Sequence, residues 1–378
     1  MDETKARGRN RIIALACVAV AALSLVASDN MLRAAALISA GIEMPQGAGS
    51  LLMEITPVAA GNPDERPIII RGPANPVADD DEFDITATPA DILLLMEEAL
   101  VEFAEQVPDG NIVPRTFTDA DATHVWGPLA VRNTTATQAG RDISRDLAAR
   151  LELAINRSLP SVLIFHTHTT EGFEIIDRPW YAADWNSRTQ NRYRNIVRVG
   201  EAMVKMLERA GFVVIHDTTV FDVPFAGAYD RSRAAVAYWL ERYPSIQVTI
   251  DVHRDAIHRS NGDRIKPVAE IMGRQAAQVM LIAGVEEGRV AELPGGFPTW
   301  EQNLAMAARF HAFAQERYPG LMIPMFFTAR RYNIDLTPFS LFFEIGADVN
   351  TLEEAVFSGR LVGEALAAML EGYVLNDK

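Results

Sequence analysis

Beyond Ser161, apolar and polar positions alternate between an extended and a helical period. The run Ser161 to His166 (SVLIFH) is almost continuously apolar, as in a strand covered on both faces. Asn191 to Ala210 reads as a helix closed by Gly211, and Phe212 to His216 (FVVIH) as another strand. Asp230 is placed to cap a helix over Arg231 to Tyr243 that Pro244 stops, and Ile246 to His253 (IQVTIDVH) is the next strand. Strand-like runs continue at Val268 to Met272, Gln278 to Ala283 and Leu341 to Ile345, with helices near Trp300 to Arg317 and Thr351 to Glu371. Strands separated by helices predict an α/β fold, with a mostly parallel sheet and helices on both faces.

The first hundred residues have another pattern. Lys5, Arg7, Arg9 and Arg11 precede the apolar run Ile12 to Ala27. That run is short for a spanning helix of about 20 residues and long for the core of a cleaved signal, and either reading exports the remainder of the chain. An uncleaved anchor over residues 1–33 is the favoured reading. Because basic flanks stay in the cytoplasm, this expectation is a single-pass protein of the cytoplasmic membrane whose bulk lies outside. Residues 34–88, punctuated by Pro45, Pro57, Pro63, Pro67, Pro73 and Pro76, read as an acidic linker. Pro89 to Val107 predicts a helix with Thr88 as cap and Ile92, Leu95, Met96, Ala99, Leu100 and Phe103 on one face. Residues 89–110 are therefore an accessory helix segment, and 111–378 the main domain.

Composition narrows the chemistry. The 378 residues carry 35 Lys and Arg against 50 Asp and Glu, a formal charge of −15, which argues against a nucleic-acid partner. Between Asp64 and Asp109 there are 13 acidic residues against Arg66 and Arg71, so most of that charge belongs to the linker and accessory helix. The one cysteine, Cys17, excludes an intrachain disulfide and any thiolate-rich zinc module. Metal chemistry here must use His, Asp and Glu.

Three polar clusters fall at or near strand ends, where ligands collect in sheets of this class: His166 to Glu171 (HTHTTE), His253 to Asp255 (HRD), and Glu344 within LFFEIG. Two His and one carboxylate form the donor set of a catalytic zinc site with one open position. His166 and His168 are two apart, so either or both could reach a metal; Glu171 could be a ligand or an acceptor that holds a His tautomer. Asp255 could orient an imidazole or pair with Arg254. Glu344 interrupts an apolar strand, and burial there raises a carboxyl pKa toward the range of a general base; the plainer reading pairs it with Arg330 or Arg331. His216 and His258 carry less weight, and His124 and His311 read as surface or helix residues. The chain contains no GxSxG, GxxxxGK[ST] or HExxH motif and no GxGxxG opening a helix after a strand.

The segments SVLIFHTHTTEGFE (Ser161 to Glu174), RVGEAMVKMLERAGFVVIHD (Arg198 to Asp217), YDRS (Tyr229 to Ser232), IDVHRDA (Ile250 to Ala256) and FFEIGADVNTLEEA (Phe342 to Ala355) together resemble the stage II sporulation protein P family of peptidoglycan hydrolases. The last of them is also similar to the catalytic end of zinc-dependent N-acetylmuramoyl-L-alanine amidases. The resemblance implies a zinc amidase-like fold and a Zn2+ hydrolase acting on peptidoglycan at the amide between N-acetylmuramic acid and L-alanine, and on cross-linking peptide bonds as well. His166 or His168 and His253 match the metal ligands, and Glu344 the general base. Ordinary muramoyl amidases carry a ligand Glu near the start of the helix after the first His. Asn191 to Asn195 (NRYRN) has none, so Glu171 or the second His of HTH would replace it. The resemblance also leaves room for a protein activator. Two other functions stay open: a non-catalytic wall-binding or divisome scaffold with a degenerate site, and a zinc peptidase acting on proteins.

Overall fold

The computed structural model describes residues 68–71, 83–102 and 106–375. In chain order the strands are β1 (Ile68–Arg71), β2 (Pro108–Arg115), β3 (His124–Trp126), β4 (Leu129–Asn133), β5 (Pro160–Phe165), β6 (Trp180–Ala182), β7 (Val213–Asp217), β8 (Val248–Asp255), β9 (Arg264–Ile271), β10 (Arg274–Ala277), β11 (Val279–Gly284), β12 (Met325–Thr328) and β13 (Phe339–Ala347). The α-helices are α1 (Ala90–Glu102), α2 (Ser144–Ala148), α3 (Ile196–Arg209), α4 (Ala228–Arg242), α5 (Arg289–Glu292), α6 (Trp300–Arg317) and α7 (Leu352–Leu370).

Among the described residues, the strands form one large sheet ordered β1-β7-β5-β8-β13-β11-β12-β4-β3 and one small sheet ordered β10-β9-β2-β6. The fold is α/β as expected, but the large sheet is mixed. Its ladders β7/β5, β5/β8, β8/β13, β11/β12 and β12/β4 are parallel, while β1/β7, β13/β11 and β4/β3 are antiparallel. The reversal at β11 has a local cause. After β8 the chain enters the small sheet through β9 and turns back at Met272 and Gly273, whose φ values of 53° and 75° make a left-handed hairpin turn. It then runs through β10 into β11 with no crossover helix, which a parallel neighbour would need. The strand expected at Val268 to Met272 thus exists within β9 but belongs to the small sheet.

Period-two alternation assigns the two faces of the central strands. Val162 and Ile164 of β5, Val248, Ile250 and Val252 of β8, and Leu341, Phe343 and Ile345 of β13 join one large core with α3, α6 and α7. Leu163 and Phe165 face the other way, against Ile215, Val236 and the buried Trp239 of α4, whose indole nitrogen donates to Asp217 at 2.8 Å. Helix α3 is capped by Asn195, whose side chain accepts from Val197 N at 3.0 Å, and α7 by a reciprocal pair between Thr351 and Glu354. Helix α4 starts earlier than expected, at Ala228, and Gly227 at φ 80° rather than Asp230 stands at its cap. Helices α3 and α7 pack backbone to backbone. A Cβ on Gly359 would lie 2.8 Å from Val199 O, and one on Gly363 would lie 2.8 Å from Met203 O.

No helix among the described residues is long and apolar enough to cross a membrane. The anchor expected over 1–33 and Cys17 lie outside the described residues, as does the linker expected over 34–88 except for 68–71 and 83–88. Two parts of that segment are attached to the main domain. Strand β1 pairs with the edge of β7, and Arg360 donates to the backbone carbonyls of Ile85 and Ala87. Thr88 does not act as the expected cap; its hydroxyl donates to Glu353. Helix α1 buries Ile92 and Ala99, while Leu100 of the expected apolar face is exposed; Phe103 lies outside the described residues.

Candidate active site

Strand parity sorts the candidate residues. His253 comes after Thr249 and Asp251 on the face of β8 turned away from α3 and α7, and Glu344 stands beside it in register on β13. His166 continues the parity of Val162 and Ile164 to the opposite face. There its Nε2 lies 2.9 Å from His216 Nε2 and its Nδ1 2.9 Å from Val252 O, so both ring nitrogens are engaged. Gly200 of α3 leaves room for this pair, since a Cβ there would approach His166 Cε1 to 2.5 Å. His216 is therefore a structural partner of His166, a role its place in FVVIH did not reveal.

His168 sits in the turn after β5, and that turn returns it to the His253 side. Its ring is edge-on to His253 with centroids 5.3 Å apart, and it stacks on Phe225 at 4.6 Å. The same turn ends on Glu171, whose amide donates to His168 O at 3.1 Å. The Glu171 carboxylate accepts from Arg254 N at 3.1 Å and lies 3.4 Å from His253 Nδ1 and 3.7 Å from the Arg188 guanidinium. Arg254 spans this region, donating to Gly172 O at 3.1 Å and to Ser187 O at 2.9 Å. Arg188 also donates to Asp222 at 2.8 Å and to Thr170 Oγ1 at 3.2 Å. HTHTTE, HRD and Glu344 thus gather at one place, except for His166.

Burial sets the electrostatics. It pushes His168 down to about 3 and His166 down to about 4, so both imidazoles are neutral near pH 7. Burial also opposes charge on His253, but the carboxylates of Asp251 and Glu171 outweigh it and raise that ring well above its usual range. The reverse holds for Glu171: burial would raise it, yet the hydrogen bond and charge of His253, with Arg254, hold it low. Glu344 is raised well above the carboxyl range, first by burial and then by the neighbouring Asp255 charge. Its Oε2 is buried without a hydrogen-bond partner, as is His168 Nδ1. Arg331 pairs instead with Asp335 at 3.8 Å. Asp255 accepts from Ala256 N and takes no imidazole; the carboxylate beside His253 Nε2 is Asp251, at 2.8 Å.

Three residues of this site did not stand out in the sequence as site residues. Asp251 is one, although the i, i+2 spacing in IDVH places it on the face of His253. Tyr229 lies parallel to His253 at 6.5 Å and edge-on to His168 at 5.4 Å. Arg188 comes from a loop that no periodicity marks. His311 sits on a helix as expected but is buried, 3.1 Å from Ile323 O. His258 pairs with Asp348 at 2.8 Å.

The donor types suit zinc: the imidazoles of His168 and His253 and the Glu171 carboxylate converge beside a second carboxylate, Glu344, and the buried Nδ1 of His168 has no hydrogen-bond partner. Among the described residues, no three His, Cys, Asp or Glu side chains are drawn in to metal-bonding distance.

Residues 117–367 match the family model for Stage II sporulation protein P (SpoIIP). The chain belongs to this family. A curated relative, Stage II sporulation protein P of Bacillus subtilis (strain 168), is 26% identical over 220 residues, covering 55% of this chain and 50% of the relative. The chain therefore matches about half the length of that relative. Among solved structures, N-acetylmuramoyl-L-alanine amidase AmiC2 of Nostoc punctiforme is 12% identical, with 58% of this chain and 98% of that one covered at a TM-score of 0.33. The catalytic domain of the amidase CwlV from Bacillus (Paenibacillus) polymyxa var. colistinus is 11% identical, with 56% and 98% covered at a TM-score of 0.34. The CwlD amidase of Clostridioides difficile, solved in complex with the GerS lipoprotein, gives 11%, the same two coverages and a TM-score of 0.30. The family assignment rests on the family model and not on these overlaps.

Proposed function

We propose that this chain is a peptidoglycan hydrolase that cleaves the amide between N-acetylmuramic acid and L-alanine, and that it also cuts cross-linking peptide bonds. The observation that carries this reading is the convergence of His168, Glu171 and His253 beside Glu344, whose Oε2 is buried without a hydrogen-bond partner, in a chain of the SpoIIP family. His168, Glu171 and His253 would hold zinc. His166, with both ring nitrogens engaged on the other face of the sheet, would support the strand end instead.

Zinc, when bound, supplies Lewis acidity toward the scissile carbonyl and activates water. The remaining steps belong to the chain. Glu344, as the carboxylate, accepts a proton from the attacking water, and its raised pKa lets it hold that proton until it passes to the departing amide nitrogen. The rings of Tyr229 and Phe342 lie along the His253 ring and would limit bulk water there. Export across the cytoplasmic membrane, with a retained N-terminal anchor, would place the domain beside its polymer, and a protein activator would fit the same setting.

The competing reading is a wall-binding scaffold, which Asn191 to Asn195 favours, because that segment carries no carboxylate where ordinary muramoyl amidases hold a ligand. Digestion of purified peptidoglycan by the full chain, with the new ends identified by mass spectrometry, separates the readings. Freed lactyl groups on muramic acid support the amidase. Peptide ends alone point to a peptidase, and unchanged wall to the scaffold.

A further inference from the structure

Tyr229 stands in the first turn of α4, and its main chain is pinned: its carbonyl accepts from Asn333 Nδ2 at 3.0 Å and from the Ser232 hydroxyl at 3.2 Å. Its ring is held by other rings. It stacks on Tyr332 at 5.3 Å, lies edge-on to His168 at 5.4 Å and runs parallel to His253 at 6.5 Å. Tyr332 itself stacks on Phe342 at 4.7 Å from a backbone held at φ 45°, a left-handed conformation uncommon for so large a side chain. Tyr229 is half-buried among these groups, yet its hydroxyl makes no hydrogen bond among the described residues. Phenols inside a protein normally find a partner. Tyr181 donates to Gly262 O at 2.9 Å, and Tyr318 to Glu364 at 2.7 Å. Tyr229 is held by its ring and main chain alone, and its one side-chain donor is left unspent.

The surroundings define what that donor would meet. Burial, then Tyr332 and the charges of Asp251, Glu344 and Glu171, raise the Tyr229 phenol well above its ordinary value, so the group is a donor and not an anion. When water adds to an amide carbon, the carbonyl π pair moves onto oxygen, and that oxygen stays negative until the C–N bond breaks and the pair returns. Where three carboxyl groups already stand, a new negative charge needs an uncharged donor fixed in advance. We infer that Tyr229 is a further catalytic residue: its hydroxyl donates a hydrogen bond to the carbonyl oxygen of the scissile amide, most strongly when that oxygen carries the charge of the tetrahedral adduct. The phenol keeps its own proton throughout, and the proton lost by water passes by way of Glu344 to the leaving nitrogen. The inference rests on the proposed amidase reading of the site.

Tyr229→Phe removes the hydroxyl and keeps the ring, so its fold and zinc content should match those of the unsubstituted protein. With the full chain and a soluble N-acetylmuramoyl peptide, kcat should fall about 10²–10³-fold with KM little changed, the usual result of losing one oxyanion donor. A phosphinate built to copy the tetrahedral carbon should bind more weakly by a similar factor. Affinity for the intact peptide, titrated in a Glu344→Gln background to prevent turnover, should be the same with and without the hydroxyl. Unchanged kcat overturns the inference, and so does equal weakening of phosphinate and peptide, which marks uniform binding. If Tyr229→Phe loses its fold or its zinc, the unsubstituted protein carrying ζ-13C-labelled tyrosine decides: the Tyr229 Cζ resonance should shift when the phosphinate binds, and no shift overturns the inference. An unsubstituted protein that frees no lactyl groups from peptidoglycan removes the amidase reading itself, a failure distinct from a Tyr229→Phe protein that frees them at the full rate.

Discussion

Glu344 and His253 stand side by side on two parallel strands, β13 and β8, with their side chains on the face turned away from the α3 and α7 layer. One carries an acidic group pushed toward its neutral form, the other a base pushed toward its charged form. In the proposed mechanism Glu344 handles the proton while His253 serves as a metal donor, which requires its neutral form, so binding of the metal there would release a proton.

Glu344→Gln should therefore keep bound zinc and lose turnover by about 10²–10⁴-fold, the usual worth of a positioned general base. Metal content by mass spectrometry and wall digestion on the same sample check this. Activity near that of the unsubstituted protein would remove Glu344 from the role.

The two histidines of HTH should behave differently. His168→Ala should abolish zinc binding. His166→Ala should retain most of it and lower thermal stability by about 1–3 kcal/mol, since it removes one buried polar contact from His216 Nε2 and one from the Val252 carbonyl. Equal zinc loss in both variants would contradict the separation of the two faces.

Gly200→Ala tests the packing beneath His166. The added Cβ would meet His166 Nε2 at 2.6 Å and His216 Nε2 at 3.0 Å, so a cost of about 1–3 kcal/mol is expected. Chemical denaturation measures it. Adding His216→Ala should recover part of the loss, and strictly additive losses would show that the crowding lies elsewhere.

The pH dependence of stability has a definite sign at His311. Burial lowers it to about 4, against about 6.5 in an unfolded chain. Its contribution is complete above about pH 6.5 and is lost as the pH falls toward 4, because the unfolded chain takes up the proton first. His311→Gln should flatten the fall in Tm across that window. An identical slope would show that other groups carry it.

For the metal-free protein, Glu344 acts in the opposite sense. A raised carboxyl favours folding below the unfolded pKa, near 4.3, and that support fades as the pH rises through the folded value. Glu344→Gln should therefore be the more stable of the two metal-free proteins at pH 7. Thermal melts in the presence of a chelator measure this.

Strand and helix identities were largely legible, because SVLIFH, FVVIH and IQVTIDVH are runs that only a covered strand accommodates. The mixed sheet was not. Periodicity does not report direction, and the reversal at β11 depends on the Met272–Gly273 turn and a second sheet. The candidate site was legible at His253 and Glu344, where titratable groups stood at the end of or within apolar runs, and at Glu171 through its place in the HTHTTE cluster. Choosing between His166 and His168 needed the face on which β5 leaves the sheet, which is a matter of register. Asp251 stayed hidden because IDVH read as part of a strand.

The glycines that let α3 touch α7 have a bearing on substrate handling. Where Gly359 and Gly363 meet the main chain of Val199 and Met203, the two helices have little room to slide past one another beneath the sheet. Under the proposed function, variation among strands of wall polymer would then fall to the loops that carry Arg188 and Phe225, whose side chains lie beside Glu171 and His168.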